Sequence, residues 1–335
     1  MPFDDIVAQV EALAATGRGP DIFIGAHDRL GDLVTSGVVE PLDLADKKAS
    51  FRPVAVNAFS YDGETYGLPY LTQGAALFYN KALVANGGPP ATWSDLKAQA
   101  ATFQAGDVSR QGYCLQQADA YHSYPLLTGF GGYVFGRAAD GSYDATDVGL
   151  DSPGGLASAA ELDAMVKAGI VRPGADYATC LANMTSAKSM FWLTGPWALP
   201  DFAASGIDFG VAPIPTMTGT PRPFVGAQGM MVSHFAANRD AALSFLLNYV
   251  ATDEVMLQLW EADPRLPAWN EVADSIVDPN MAAFIASVDT GDPTPAIPEM
   301  AGAWTAWTAA LNQIFLQQQA PDAAFRAAAA AIRGQ

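Results

Sequence analysis

Apolar residues recur along this chain in two rhythms. Phe3, Ile6, Val7, Val10, Leu13 and Ala14 fall at helical spacing and predict an amphipathic helix over residues 3 to 16. Gly17-Arg18-Gly19-Pro20 breaks it, and Ile22-Phe23-Ile24 follows as a continuous apolar run, the pattern of a strand buried in a parallel sheet. A second helix is predicted from Arg29 to Ser36, stopping at Gly37. Phe59 to Tyr66 reads as a β-hairpin, because Asp62-Gly63 supplies the positive φ angles of a two-residue turn. Ala75 to Tyr79, Tyr113 to Leu115, Met190 to Leu193, Phe209 to Ala212 and Met230 to Val232 predict further strands. Between them, Thr92 is placed to cap a helix running through Phe103. Asp151 or Ser152, with Pro153 just inside, opens a helix running to about Lys167. From Arg239 the pattern is mainly helical: Ala241, Leu243, Phe245, Leu246 and Tyr249 carry one helix, Met300 to Phe315 another, and Ala323 to Ile332 the last. Interleaved strands and helices predict an α/β architecture with mostly parallel sheets. No repeat at solenoid period and no low-complexity linker divides the chain, so two domains would be joined by more than one crossing.

Composition narrows the classes. A chain of 335 residues, half of them apolar, is long for one core and predicts two domains. Its formal net charge of -18 repels phosphate backbones and anionic membranes, which argues against a nucleic-acid partner. Cys114 and Cys180 fit no zinc or redox spacing; they form either one disulfide of an exported protein or two buried thiols. His27, His122 and His234 are scattered, so neither a metal nor a cofactor is expected. No stretch approaches the ~20 apolar residues of a membrane span. Met1-Pro2-Phe3-Asp4-Asp5 has neither the basic nor the apolar region of a signal peptide.

No G-x-S-x-G elbow, P-loop or H-E-x-x-H is present, and Gly129-Phe130-Gly131-Gly132 does not follow a buried strand as a dinucleotide fingerprint would. What remains is aromatic rings beside polar side chains at loop or strand ends: Tyr121-His122-Ser123-Tyr124, Gly195-Pro196-Trp197, and Trp304. Each has a plain alternative, a ring packed under a loop. For Trp304, Trp307, Leu311 and Phe315, which share helical spacing, that alternative is core packing. Asp28-Arg29 directly follows the first strand. Ligands of parallel sheets sit beyond the carboxyl ends of strands, and a carboxylate with a guanidinium binds hydroxyls through charge-assisted hydrogen bonds. The alternative there is a surface ion pair or a helix cap.

Taken in order, these segments resemble the maltose-binding branch of the extracellular solute-binding proteins of ABC importers. Ala15-Thr16-Gly17-Arg18-Gly19-Pro20-Asp21-Ile22 with Ala26-His27-Asp28-Arg29 is similar to its opening motif. Asp62-Gly63, Gly67-Leu68-Pro69 and Tyr79-Asn80-Lys81 are similar to its hairpin and first crossover. Asp147-Val148-Gly149 and Thr194-Gly195-Pro196-Trp197 match its second lobe, Pro223-Phe224-Val225-Gly226 its return crossover, and Ile297-Pro298-Glu299-Met300 with Trp304 its closing helix. The Ala-rich composition is similar to that of actinobacterial members. The resemblance implies a two-lobed periplasmic-binding-protein fold of type II, each lobe a mostly parallel sheet flanked by helices. Residues 1–72 plus 227–278 would form the first lobe and residues 74–225 plus 282–335 the second, with hinge crossings near 71–74, 225–227 and 278–282.

The resemblance further implies that Asp28 and Arg29 bind sugar hydroxyls from the first lobe, while Tyr121, Trp197 and Trp304 stack on pyranose faces from the second. Gln73 and Gln117 stand at positions of carboxylates, and Asp119, His122 and Glu299 complete the candidate set. Gly25 stands where the family pattern has a cleft tryptophan, Thr308 where it has an arginine, and two extra residues occur around Ala118-Asp119-Ala120. Family members begin with a strand, a helix and a strand before the helix that opens this chain. The first lobe is therefore expected to be incomplete at its start, with weakened sugar binding and no export signal. The implied role is non-enzymatic: a monomer, exported to the periplasm or lipid-anchored at the cell surface, captures a maltose- or maltodextrin-like oligosaccharide and presents it to permease subunits. The alternatives are a glycoside hydrolase using Asp28, Asp119 or Glu299, and a truncated homologue that no longer binds.

Overall fold

The computed structural model describes residues 3–84, 88–138 and 142–334, without the side-chain surroundings of residues 3–5. Met1, Pro2 and the place of the Phe3 side chain on the first apolar stripe therefore lie outside the described residues. Of that stripe, Val7, Val10 and Ala14 are buried and Leu13 is exposed.

Two sheets organise the chain. The first runs Ile22–Ala26, Phe224–Val232, Leu68–Gly74, Leu266–Pro267, with Asp292–Pro293 added beside the start of Phe224–Val232. The second runs Phe209–Ala212, Ala76–Asn80, Ser189–Thr194, Gln111–Cys114. Each sheet has its own apolar packing. Phe23, Leu33, Phe59 and Met231 cluster on the first, with Phe51, Leu246 and Trp269 in a neighbouring cluster. Leu77, Tyr113, Leu162, Trp307 and Phe315 cluster with the second. The chain passes from first sheet to second in nearly unbroken extended form: Leu68–Gly74 ends, Ala75 intervenes, and Ala76–Asn80 begins. It returns along Phe224–Val232, which lies antiparallel beside Leu68–Gly74.

That crossing pattern corrects the expectation of mostly parallel sheets. Among the described strand-to-strand pairings, only Phe224–Val232 with Asp292–Pro293 and Gln111–Cys114 with Ser189–Thr194 run parallel; the isolated bridge Thr92–Thr216 is parallel as well. Ile22–Ala26, read as a buried parallel strand, is antiparallel to Phe224–Val232 and buries alternate residues. Alternating strands and helices show that the two pack together, but not which strands become neighbours. Here the neighbours are segments that traverse the molecule in opposite directions.

Local signals fared better. Asp62 and Gly63 adopt φ of 49° and 84° in the hairpin turn. Thr92 Oγ1 accepts the Asp95 N–H at 3.2 Å, and Ser152 Oγ accepts the Gly155 N–H at 3.1 Å ahead of the helix Pro153–Lys167. The strand read as Met230 to Val232 begins six residues earlier, at Phe224. Its glycines disguised it: a Cβ on Gly229 would come within 2.5 Å of the Phe59 ring, so the strand gives up side chains to admit that ring. The helix predicted through Tyr249 ends its α portion at Phe245 and continues as a π-helical turn, Leu246–Val250. Helices Pro53–Ala58 and Tyr177–Thr185 were not anticipated, whereas Asp253–Ala262 and Pro279–Asp289 lie in the stretch read as mainly helical without being delimited there. Cys114 and Cys180 form a disulfide that ties the end of a strand to the helix Tyr177–Thr185, with both residues fully buried. No described helix is long and apolar enough to cross a membrane.

Candidate functional site

The loop after Gln111–Cys114 turns sharply at Ala118, whose φ is 54°. Asp119 then caps the helix Ala120–Gly129, accepting the His122 N–H at 3.0 Å. The same carboxylate meets His122 Nδ1 at 2.7 Å and accepts from Gln116 Nε2 at 2.7 Å. Burial pushes the Asp119 carboxyl up, but the His122 side chain, its charge and the cap N–H together hold it below the ordinary carboxylate range. So anchored, the helix sets Tyr121 with its hydroxyl donating to the Phe224 carbonyl at 3.2 Å. Burial, reinforced by the Asp119 charge, raises the Tyr121 phenol well above its ordinary value and keeps it a donor.

Trp197 reaches the same place from another strand. Ser189–Thr194 ends, and a Cβ on Gly195 would lie 2.1 Å from the Trp197 ring, so only glycine lets the indole fold back over the turn. The ring remains 37% exposed. Its centroid is 6.3 Å from Tyr121 and 6.1 Å from His122. Tyr121 is in turn 6.2 Å from Phe224, and Phe224 is 5.4 Å from Trp304. Tyr124 stacks on Phe224 at 3.5 Å and 3°, and Trp304 lies parallel to buried Trp307 at 6.4 Å. Rings separated by nearly two hundred positions thus form one wall, at the point where the chain re-enters the first sheet. Trp197 is exposed and Tyr121 and Trp304 are half-buried in it, while Phe224, Tyr124 and Trp307 are buried.

The other candidate residues fall in different settings. Asp28 is exposed, in the short turn His27–Arg29 directly after Ile22–Ala26. Arg29 is exposed and paired with Glu11 at 3.3 Å and Asp32 at 3.1 Å, the surface ion pair weighed as its alternative reading. Gln73 is half-buried opposite Gly226 in the pairing of the two crossing strands. Gln117 donates to Asn312 Oδ1 at 2.6 Å and accepts the Gly174 N–H at 2.5 Å, so both ends of its amide are engaged. Glu299 is exposed just before the helix Met300–Phe315. The structure therefore gathers Asp119, Tyr121, His122, Trp197 and Trp304, and leaves Arg29 and Gln117 committed elsewhere. A Cβ on Gly25 would meet Met231 Cε at 2.6 Å and Val7 Cγ2 at 3.3 Å, so this position faces apolar packing. Phe224, the hub of the wall, is no candidate binding residue by sequence; the crossover motif Pro223-Phe224-Val225-Gly226 is its one signal there. No group of three or more His, Cys, Asp or Glu suited to a metal occurs among the described residues.

Comparison with known proteins places the chain by family and fold. Residues 1–286 match the model of a family described as bacterial extracellular solute-binding protein. The chain is 28% identical to the galactooligosaccharide-binding protein of Bacillus subtilis (strain 168), over 100% of this chain and 81% of that protein. It is also 28% identical to the maltotriose-binding protein of Pyrococcus abyssi (strain GE5 / Orsay), over 95% of this chain and 70% of that one. Its fold superposes on a cyclo/maltodextrin-binding protein solved in complex with maltotetraose, with a TM-score of 0.92 and 27% identity, covering 100% of this chain and 87% of the other.

Proposed function

This chain belongs to the bacterial extracellular solute-binding proteins, and on that premise we propose that it captures a maltose- or maltodextrin-like oligosaccharide between its lobes and delivers it to the permease subunits of an ABC importer. The observation that carries the reading is the aromatic wall of Trp197, Tyr121 and Trp304 built on Phe224. A pyranose has an apolar C–H face and a polar rim. Rings at this spacing give the face a large contact area at little cost in side-chain entropy. The rim would be met by Asp119, His122 and Glu299 from the lobe that carries the wall, by Asp28 from the other lobe and by Gln73 at the crossing between them. Arg29 and Gln117 would join after exchanging their present partners for hydroxyls.

Capture works by closure. The first lobe takes residues 1–72 plus 227–278 and the second 74–225 plus 282–335, with bending near 71–74, 225–227 and 278–282. A sugar touched by both lobes binds the closed form more tightly, and that difference shifts the population toward it. No bond is made or broken, and the protein acts as an exported monomer that binds no nucleic acid. Asp119, held below the ordinary carboxylate range, is poorly suited to be the general acid of a hydrolytic role.

Calorimetry with maltose, maltotetraose and a galacto-oligosaccharide tests the reading. Saturable binding of maltotetraose is expected, weakened at least ~10-fold in Trp197→Ala, a loss of about 1.4 kcal/mol. Maltotriose incubated with the protein should remain intact. Absence of saturable binding to every sugar in the panel, or turnover abolished by Asp119→Asn, would overturn it.

A further inference from the structure

In the sequence His27 is one of three scattered histidines. In the fold it is 2% exposed and opens the turn that carries Asp28. Both ring nitrogens meet backbone. The Ala227 N–H donates to Nδ1 at 3.1 Å, and Nε2 lies 3.1 Å from the Thr294 carbonyl oxygen. A backbone N–H can only donate, so Nδ1 is the acceptor, the proton sits on Nε2, and the ring donates to Thr294.

The two backbone partners belong to two segments that link the sheets. Ala227 lies within Phe224–Val232, three residues from the hub of the aromatic wall. Thr294 follows Asp292–Pro293, which pairs with Phe224 and Val225. Neighbouring residues of these segments are held by the side chains behind and beside the wall. Tyr121 donates to the Phe224 carbonyl, Tyr124 to Asp292 Oδ2 at 2.7 Å, and Tyr143 to the Pro293 carbonyl at 2.7 Å. One ring thus closes a line of hydrogen bonds from the Asp28 turn to the wall.

We propose that His27 is a positioning residue: as a neutral ring protonated at Nε2, it holds both linking segments against the end of Ile22–Ala26 and so sets the Asp28 turn relative to the aromatic wall. A second proton would have to go on Nδ1, where it would point at the Ala227 N–H and replace an attraction with two facing donors. Burial holds the imidazole below its ordinary value, opposed by the charge of Asp28. Phe224–Val232 carries no titratable side chain. On the Thr294 side, Asp292 is engaged by Tyr124 and Arg222. On the side of Phe59, whose ring meets the imidazole at 6.4 Å, the next titratable residue along the chain is Tyr61. Because the folded value is depressed, the stabilising contribution is present above the unfolded value of about 6.5 and is lost as pH falls from there through the folded value.

The test uses the full chain, imidazole 15N NMR, urea unfolding and maltotetraose calorimetry at about pH 7.5 and about pH 5. NMR of the wild type at the higher pH should place the proton on Nε2. Wild-type affinity should fall about fivefold or more across that range, and urea stability should fall with it. His27→Asn keeps an acceptor for Ala227 and cannot titrate, so its affinity and stability should change less than about twofold across the range. His27→Gln keeps only the donor to Thr294 and should bind more weakly than wild type at both pH values. A proton on Nδ1, or an Asn variant with the wild-type pH dependence, would overturn the proposal. The affinity arm rests on the sugar-binding reading; should no sugar bind at neutral pH, that reading fails, and the NMR and urea arms still decide the role of His27.

Discussion

Opening the Cys114–Cys180 disulfide should destabilise the fold by an amount that can be worked out beforehand. The bridge joins residues 66 positions apart. Closing a loop of that size in the unfolded chain removes entropy equivalent to about 4 kcal/mol at 25 °C. For 335 residues the entropy of unfolding near the midpoint is about 0.7 kcal/mol/K, so the midpoint should drop about 6 °C if both lobes melt together, and further if the second lobe melts alone. Both sulfurs lie in a core with Phe78, Trp192 and Met184, so Cys→Ser would add the separate cost of burying a hydroxyl. Reduction of the wild type is the cleaner perturbation, with Cys114→Ala/Cys180→Ala as the genetic check. The assay is calorimetric melting of oxidised and reduced protein, with thiol titration showing two free thiols in the second. Because Cys114 lies five residues before the Asp119 cap, weaker maltotetraose binding should accompany the lower midpoint. Reduced protein with two titratable thiols and a midpoint within about 1 °C of the oxidised form would refute the entropic reasoning.

Asp119→Ala removes a helix cap and leaves His122 and Gln116 without their shared acceptor. It should cost about 1–2 kcal/mol in urea unfolding and weaken sugar binding through Tyr121. Since the Asp119 carboxyl is held low in the fold, its stabilising contribution is present above its unfolded value near 3.9 and lost as pH falls through the folded value; Asp119→Asn should flatten that acid limb of the stability profile. Phe224→Ala removes the fully buried hub of the wall and should cost about 3–5 kcal/mol by urea unfolding, whereas Trp197→Ala, at a partly exposed ring, should reduce affinity with a stability change within about 1 kcal/mol. Gly195→Val should place a side chain where the Trp197 indole lies and lower affinity at least as much as Trp197→Ala, read by the same calorimetry.

How far the sequence could be read depended on whether a feature's partners were local. Thr92, Ser152 and Asp62-Gly63 act within three residues of themselves, and their roles were legible. Tyr121, Trp197 and Trp304 could be proposed together only because each sits in a motif with a known neighbourhood, since nothing in their spacing brings them to one wall. Sheet direction was misread because a strand's apolar period reports how it is buried and is silent on which distant strand lies beside it. Arg29 was legible as a charge at a strand end, but its pairing with Glu11 depends on how the first helix lies across the first strand. His27 was the least legible of all. Its two partners are backbone groups at Ala227 and Thr294, and a backbone group looks the same under any side chain. A buried histidine held by two such groups gives no sequence signal beyond its own presence. Any role it has in setting the lobes must therefore be found in the geometry of the crossings, where a change of one proton alters the contact between three segments at once.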